Sequence, residues 1–384
     1  MRIGIDARVL QQCRRGQGQY VYYLVKGLLG IDGDNEYTLF YNGRIRQPFV
    51  FDKDIHALRQ VWCGIPGSLL AATWSGLSFP PVEYLTGGID VFHNTINFNF
   101  THYTPIPTRA KMVATFHGMA GPSTIWVAYD EKRINRWFEI MARSAHAIIA
   151  VSEMAKEDLL RRISIDKKRI LVIYLGVDEV FRPIEESVVI ENTIAKLGIP
   201  GRGYLLYVGS AEKNKNIRKL LEAFRILLQD NRFRDLHLVL AGEIDHNYLA
   251  LTEEVGRSDI RGKVVFTGHI DQDELVYLYN GAAVFVLPTL KEWFGMPVTE
   301  AMACGVPSVV SKNTGALEVV GDAAVIFDPE DCEEMAHRIR TVLEDDILRS
   351  SLREKGLRQT RGLSWKKTAR QTLAVYEEIY HRGK

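Results

Sequence analysis

Hydrophobic positions along the chain gather in short apolar runs, parted by loops and by longer stretches with a helical repeat. In the first half the runs Arg2–Ile5, Tyr37–Tyr41, Val91–Phe92, Met112–Phe116, Ala147–Val151 and Ile170–Ile173 read as strands, with Tyr20–Leu29 and Ile134–Ser144 as helices. The rhythm restarts with strand Tyr204–Val208, helix Ile217–Leu228 and strands Leu236–Ala241 and Val264–Phe266. A short helix Leu275–Asn280 follows, then strands Val284–Leu287, Ser308–Ser311 and Ala324–Phe327. Apolar strands alternating with amphipathic helices predict an α/β protein whose parallel sheets are covered on both faces. The segment from Trp365 to Tyr380 is a strongly amphipathic helix. Pro66–Pro80, with Trp74, reads as a buried helix in preference to a membrane-touching surface.

A chain of 384 residues exceeds what one core usually supports, so two domains are expected. The break is placed in Phe181–Gly203, where Pro183, Pro200 and Gly198, Gly201 and Gly203 interrupt the periodicity. The expected domains are 1–182 and 199–364. The composition, 46% hydrophobic and 25% charged, is that of an ordinary globular protein. A formal net charge of +1 gives no global field toward nucleic acid or anionic lipid, and no nucleic-acid-binding module or aromatic platform accompanies it. Cys13, Cys63, Cys304 and Cys332 lack the spacing of a metal site, which suits reduced thiols in a cytoplasmic protein. The first residues lack the apolar core of a signal peptide, and no run approaches the ~20 apolar residues of a membrane span. The expectation is a soluble protein, or one attached at most to a membrane surface.

The richest stretch is Val284 to Gly305. A buried strand ends at Pro288, a loop carries Glu292, Trp293, Phe294 and Gly295, and Pro297 suits the first turn of the following helix. Gly305 and Pro307 close that helix. Strand, glycine loop and helix amino end together make an anion site, because unpaired amides and the helix dipole face the ligand. Glu292 in the loop and Glu300 one turn into the helix would repel a bare phosphate. The combination fits better if the carboxylates grip sugar hydroxyls while amides such as those near Gly295 and Met296 grip phosphates.

Tyr207–Asn216 opens the second half in the same strand-to-helix manner, and a lysine there, Lys215 or the nearby Lys213, suits a diphosphate. Gly16 and Gly18, in the turn Arg14–Tyr20, stand between the first strand and the first helix. His117 ends an apolar strand, and Gly118 leaves its backbone open to a ligand. His93-Asn94 and Ser152-Glu153 are weaker candidates at other strand ends. Asp6, at the end of the first strand, is read as structural, with an acceptor-facing role as the alternative.

Glu292 to Pro307, as E-W-F-G-M-P-V-T-E-A-M-A-C-G-V-P, resembles the E-x7-E motif of retaining family 4 glycosyltransferases of the GT-B fold. The resemblance covers essentially the whole chain and implies two Rossmann-like domains facing across a cleft, with helix 365–384 returning to the first. It implies catalytic roles for Glu292, His117 and Lys215. It places Gly16, Gly18, Ser210, Lys213, Lys215, His269, Ile270, Trp293, Phe294, Gly295, Met296 and Glu300 around the donor, with His117 near its sugar, Glu300 at its ribose and the His269 loop at its base. Two departures stand out: Asn214 replaces the usual arginine before Lys215, and Trp293 replaces a small residue.

The segments Val172–Asp178 and Gly315–Ala324 resemble the bacterial mannosyltransferase branch. The implied reaction is retaining transfer of mannose from GDP-mannose to a saccharide or lipid-linked saccharide acceptor such as an O-antigen, without metal or other cofactor. A UDP-sugar donor and a nucleotide-sugar epimerase on the same fold are the alternatives. A peripheral membrane contact would follow from a lipid-linked acceptor, while the oligomeric state is left open.

Overall fold

The computed structural model describes residues 1–11, 16–42, 51, 58–95, 106–118 and 131–382. Arg14 and Arg15, flanking the expected glycine turn, and Cys13 lie outside them. By internal contacts the chain divides into two units, Met1–Gly176 with Trp365–Lys384, and Val177–Ser364.

The first unit begins β1 (Arg2–Asp6), α1 (Gln17–Ile31), β2 (Glu36–Tyr41), β3 (Leu58–Trp62), α2 (Gly67–Leu77), α3 (Val82–Thr86) and β4 (Val91–Asn94). It continues β5 (Lys111–Phe116), α4 (Glu131–Ser144), β6 (Ala147–Ala150), α5 (Glu153–Arg162) and β7 (Ile170–Val172). The second unit runs α6 (Ser187–Lys196), β8 (Tyr204–Val208), α7 (Ile217–Leu228), β9 (Leu238–Ala241), α8 (His246–Gly256), β10 (Val264–Gly268) and α9 (Gln272–Gly281). After these come β11 (Ala282–Leu287), α10 (Met296–Ala303), β12 (Ser308–Ser311), α11 (Leu317–Val320), β13 (Ala324–Phe327), α12 (Cys332–Glu344) and α13 (Asp346–Thr360). The last helix, α14 (Trp365–His381), rejoins the first unit.

Both sheets are parallel throughout, in the orders β3-β2-β1-β4-β5-β6-β7 and β10-β9-β8-β11-β12-β13. Every residue of β4, β6, β9 and β12 is buried; β6 and β9 accordingly carry apolar runs with no alternation, while β4 ends in the buried His93-Asn94 and β12 is bounded by the buried Ser308 and Ser311. Strand order reverses between β1 and β4 in the first sheet and between β8 and β11 in the second. In doubly wound sheets such reversals open a crevice at the strands' carboxyl ends, where ligands bind.

Two local expectations change. The stretch read as a linker holds helix α6, and residues 177–198 belong to the second unit; the boundary falls at Gly176, before the expected 182. Phe181 accounts for the shift, packing edge-to-face on Tyr279 at 5.7 Å, while Ile184 N donates to Asn280 Oδ1 at 2.8 Å. Strand β3 was not expected, because Leu58-Arg59-Gln60-Val61-Trp62 is half-buried at the sheet edge and shows no apolar run.

Helix α14 lies on α1 at a close approach. A Cβ at Gly27 would stand 2.9 Å from both Ala369 Cβ and Trp365 O, and Tyr23 stacks on Trp365 at 5.2 Å. Trp74 is buried and donates its indole N–H to Pro80 O at 2.9 Å, as a core residue of α2 should. No helix among the described residues is long and apolar enough to cross a membrane.

Candidate active site

In the second unit the site grows from the carboxyl ends of β8 and β11, the pair at the strand reversal. After β8 the chain makes a single tight turn over Lys213–Lys215 and reaches Asn216 at φ 58°. The Asn216 amide donates to Pro288 O at 3.0 Å and Pro329 O at 2.7 Å, and Leu290 N donates to Asn214 O at 2.8 Å. The bonds to Pro288 and from Leu290 tie the β8 loop to the β11 loop, and the bond to Pro329 ties it to the segment after β13. On the far side, Gly315 N donates to Glu292 O at 2.7 Å, so the Gly315–Ala324 segment holds the backbone of the acidic loop.

With both loops fixed, Lys215 Nζ comes within 2.6 Å of Glu292 Oε2, each side chain about a fifth exposed. Burial opposes the Lys215 charge, but the charge and hydrogen bond of Glu292, aided by Glu212, outweigh it and raise the ammonium pKa. Glu212 is raised too, by burial first and by Asp245 and Glu292 beyond that, with Lys215 pulling the other way. Lys215 thus feels the charge of two carboxyl groups, Glu292 at hydrogen-bond distance and Glu212. Lys213 begins the same turn exposed, and Ser210 holds its place by accepting the Tyr207 hydroxyl on its carbonyl at 2.7 Å.

Helix α10 starts at Met296 with Gly295 as its cap at φ 82° and Pro297 in the first turn. A side chain at Gly295 would be strained and would meet Ala316 Cβ at 3.0 Å, so glycine is required there. Pro297 has no N–H and Val298 N donates to Gly295 O at 3.1 Å, which narrows the candidate anion-binding amides of this amino end to those of Gly295 and Met296. Glu300, buried on the same helix, accepts a hydrogen bond from the Tyr279 hydroxyl at 2.9 Å. Trp293 and Phe294 are buried. The Trp293 indole N–H reaches no hydrogen-bond partner among the described residues, and Lys291 Nζ lies 5.0 Å from the ring centroid. His269 and Ile270 follow β10, two strands from β8; His269 is half-exposed and sits 3.5 Å from Asp271, while Ile270 is buried.

In the first unit, His117 follows β5 and His93 lies on β4. His117 Nε2 is 3.0 Å from Thr95 O, an acceptor, so that nitrogen carries the proton. Its ring meets Tyr20 edge-to-face at 4.7 Å, and Tyr20 N donates to Gly16 O at 3.0 Å, which joins the glycine turn to the histidine. Gly18 is buried in the first turn of α1. Tyr20 Oη, Thr115 Oγ1, His93 and Tyr376 of α14 continue as a buried chain, with contacts of 2.9, 2.7 and 2.5 Å. Burial, with the His117 charge added, lowers the His93 pKa to about 3; burial lowers that of His117 to about 4 against the opposing Thr95 bond. Both rings are therefore neutral at pH 7. Asp6 forms a buried ion pair with Arg8 at 2.8 Å, and Ser152 caps α5 by accepting from Ala155 N at 3.0 Å, so both are structural.

Glu212, Asn216, Gly315 and Tyr279 were not singled out by sequence. Glu212 had a signal, three residues before Lys215 on one loop. The others act through partners distant in the chain. Among the described residues no group of three His, Cys, Asp or Glu side chains could hold a metal ion.

Residues 14–181 match the family model described as Glycosyltransferase Family 4, and residues 189–359 match Glycosyl transferases group 1. The O-antigen chain mannosyltransferase B of Escherichia coli is 29% identical over 334 residues, 86% of this chain and 81% of that relative. The serotype-specific mannosyltransferase WbdA of Escherichia coli is 32% identical over 240 residues, which cover 61% of this chain and 29% of that longer protein. Among solved structures, sucrose-phosphate synthase from Thermosynechococcus elongatus superposes with a TM-score of 0.77 at 21% identity, covering 100% of this chain and 99% of that one. Two parallel-sheet units, paired acidic and basic loops at a strand reversal and these two matching models agree: the chain belongs to the family 4, group 1 glycosyltransferases of GT-B fold.

Proposed function

We propose that the protein transfers mannose from GDP-mannose to a saccharide or lipid-linked saccharide acceptor, with retention at the anomeric carbon. The observation that carries this reading is the Lys215–Glu292 pair beside the amino end of α10. A cation and helix amides suit a diphosphate, and a carboxylate suits sugar hydroxyls. Mannose is supported by the mannosyltransferase that resembles 86% of this chain.

In the proposed step the acceptor oxygen bonds to C1 as the bond from C1 to the diphosphate oxygen breaks, on the same face of the sugar. The acceptor's proton passes to the leaving phosphate oxygen, and GDP departs. Lys215 and the amides of Gly295 and Met296 balance the charge on the diphosphate, Glu292 holds sugar hydroxyls and Glu300 holds the ribose. His117, neutral at pH 7, is assigned hydrogen bonding to a sugar hydroxyl rather than proton donation. No cofactor enters the scheme. A cytoplasmic location, at the inner membrane face for a lipid-linked acceptor, accords with it.

The test is a thermal-shift panel of GDP, UDP and ADP with GDP-mannose, UDP-glucose and UDP-GlcNAc. A ligand at about 100 times its dissociation constant stabilises a fold by ~2.7 kcal/mol. Stabilisation by the guanosine compounds alone is expected. A preference for uridine compounds would overturn the GDP-mannose assignment, and no response to any nucleotide would sink the site. Conversion of the sugar nucleotide without acceptor would point instead to an epimerase.

A further inference from the structure

Glu300 is a buried carboxylate, 6% exposed, in the second turn of α10. Burying a carboxylate is costly unless donors reach it, and one donor that reaches this one is a phenol from a different helix. We propose that Tyr279 is a positioning residue, whose hydroxyl sets the orientation of the Glu300 carboxylate for recognition of the ribose of a nucleoside diphosphate. The inference rests on the reading of Glu300 given above and adds the residue that makes Glu300 selective.

Three observations support it. The Tyr279 hydroxyl stands 2.9 Å from Glu300 Oε2, and Tyr279 is fully buried. Burial first, and the Glu300 charge after it, hold the phenol far above its ordinary pKa, so it keeps its proton and serves as the donor. That hydrogen bond favours one orientation of the carboxylate and so biases the direction of its other oxygen.

The phenol itself has little freedom. Its ring lies edge-to-face on Phe181 at 5.7 Å and tilted against Phe285 of β11 at 5.9 Å. The next residue, Asn280, clamps α9 from both sides of its amide, donating to Arg182 O at 3.0 Å and accepting from Ile184 N at 2.8 Å. A carboxylate only accepts hydrogen bonds, so its ligand must donate, as the two hydroxyls of a ribose do. A 2′-deoxyribose offers one fewer, and loss of a hydrogen bond to a charged group costs about tenfold in affinity.

Tyr279→Phe removes one oxygen and keeps the ring. Calorimetry on the full chain would compare GDP with 2′-deoxy-GDP and 3′-deoxy-GDP, and UDP with its deoxy forms. The wild type is expected to prefer the ribo forms by about tenfold. In Tyr279→Phe that preference should fall close to one, with affinity for the deoxy forms nearly unchanged, a split that a general loss of structure would not produce. An unchanged ribo preference in Tyr279→Phe would overturn the inference. No ribo preference in the wild type would overturn the Glu300 reading, and the inference with it. Should Tyr279→Phe fail to fold because it strands a buried charge, Glu300→Gln is compared with Glu300→Gln/Tyr279→Phe. Tyr279 acts through Glu300, so the second change should add no further loss of ribo preference; a further loss would overturn the inference.

Discussion

Lys215 and Glu292, 77 positions apart, meet at 2.6 Å and join the two loops at the strand reversal of the second sheet. Each is a partner of the other, and the charge of Glu212 adds to that of Glu292 in raising the lysine's pKa. A diphosphate that engages Lys215 would loosen this pair and leave Glu292 to sugar hydroxyls. Removing either residue strands its half-buried partner, so the loss exceeds that of one hydrogen bond.

Glu292→Ala is expected to lose most transfer, about a hundredfold or more, while thermal unfolding shows the fold retained. Lys215→Ala should weaken nucleoside diphosphate binding in a titration, and the double variant should deviate from additivity by about 0.5–3 kcal/mol. Normal turnover in Glu292→Ala would remove that residue from the site. Unchanged affinity in Lys215→Ala would remove the cation.

Transfer is expected to proceed in EDTA, because the scheme assigns the neutralisation of the diphosphate to Lys215 and the first-turn amides of α10. Abolition by EDTA, with recovery on adding magnesium, would contradict that assignment.

Strands buried on both faces were legible where nothing polar interrupts them, as in Val284–Leu287. Edge strand β3 was not, since none of its residues is fully buried and no apolar run marks it. Helices α12 and α13 were passed over although Asp331 and Asp345 cap them, accepting from Glu334 N and Leu348 N; that capping signal stood in the sequence. The two loops that carry Lys215 and Glu292 were legible because strand, glycine and charge lie within one short segment. The Tyr279–Glu300 and His93–Tyr376 contacts were not: they span 21 and 283 positions and exist only once the sheets are assembled.

Two glycines of α1 should respond oppositely to alanine. Gly30 has open space around its Cβ position, so Gly30→Ala should stabilise by about 0.5 kcal/mol through helix propensity. Gly27 faces Trp365 O and Ala369 Cβ at 2.9 Å, so Gly27→Ala must push α14 outward and should cost about 1–3 kcal/mol despite the same propensity gain. Denaturant unfolding of both variants checks this, and stabilisation by Gly27→Ala would refute the close approach of the two helices.

The buried histidines make stability depend on pH in a definite direction. His93 and His117 are held neutral, with pKa values of about 3 and about 4 against an ordinary value near 6.5. The unfolded chain therefore binds more protons at these sites wherever pH lies below about 6.5, and stability falls as pH falls there. The contribution is fully present above 6.5, shrinks on acidification toward 4, and levels off below the folded values. Each ring accounts for roughly 3 kcal/mol across that span. The exposed His146 and the half-buried His237, whose pKa values are also lowered chiefly by desolvation, act in the same sense, His146 more weakly because water screens it. Unfolding free energy measured from pH 8 to pH 4 should be nearly flat at first and then drop through pH 6 and 5, before most carboxylates protonate. In His117→Asn the drop should be shallower. A stability that rises on acidification from pH 7 to pH 5 would mean that these rings are charged in the folded protein, and with them the neutral role assigned to His117 would fall.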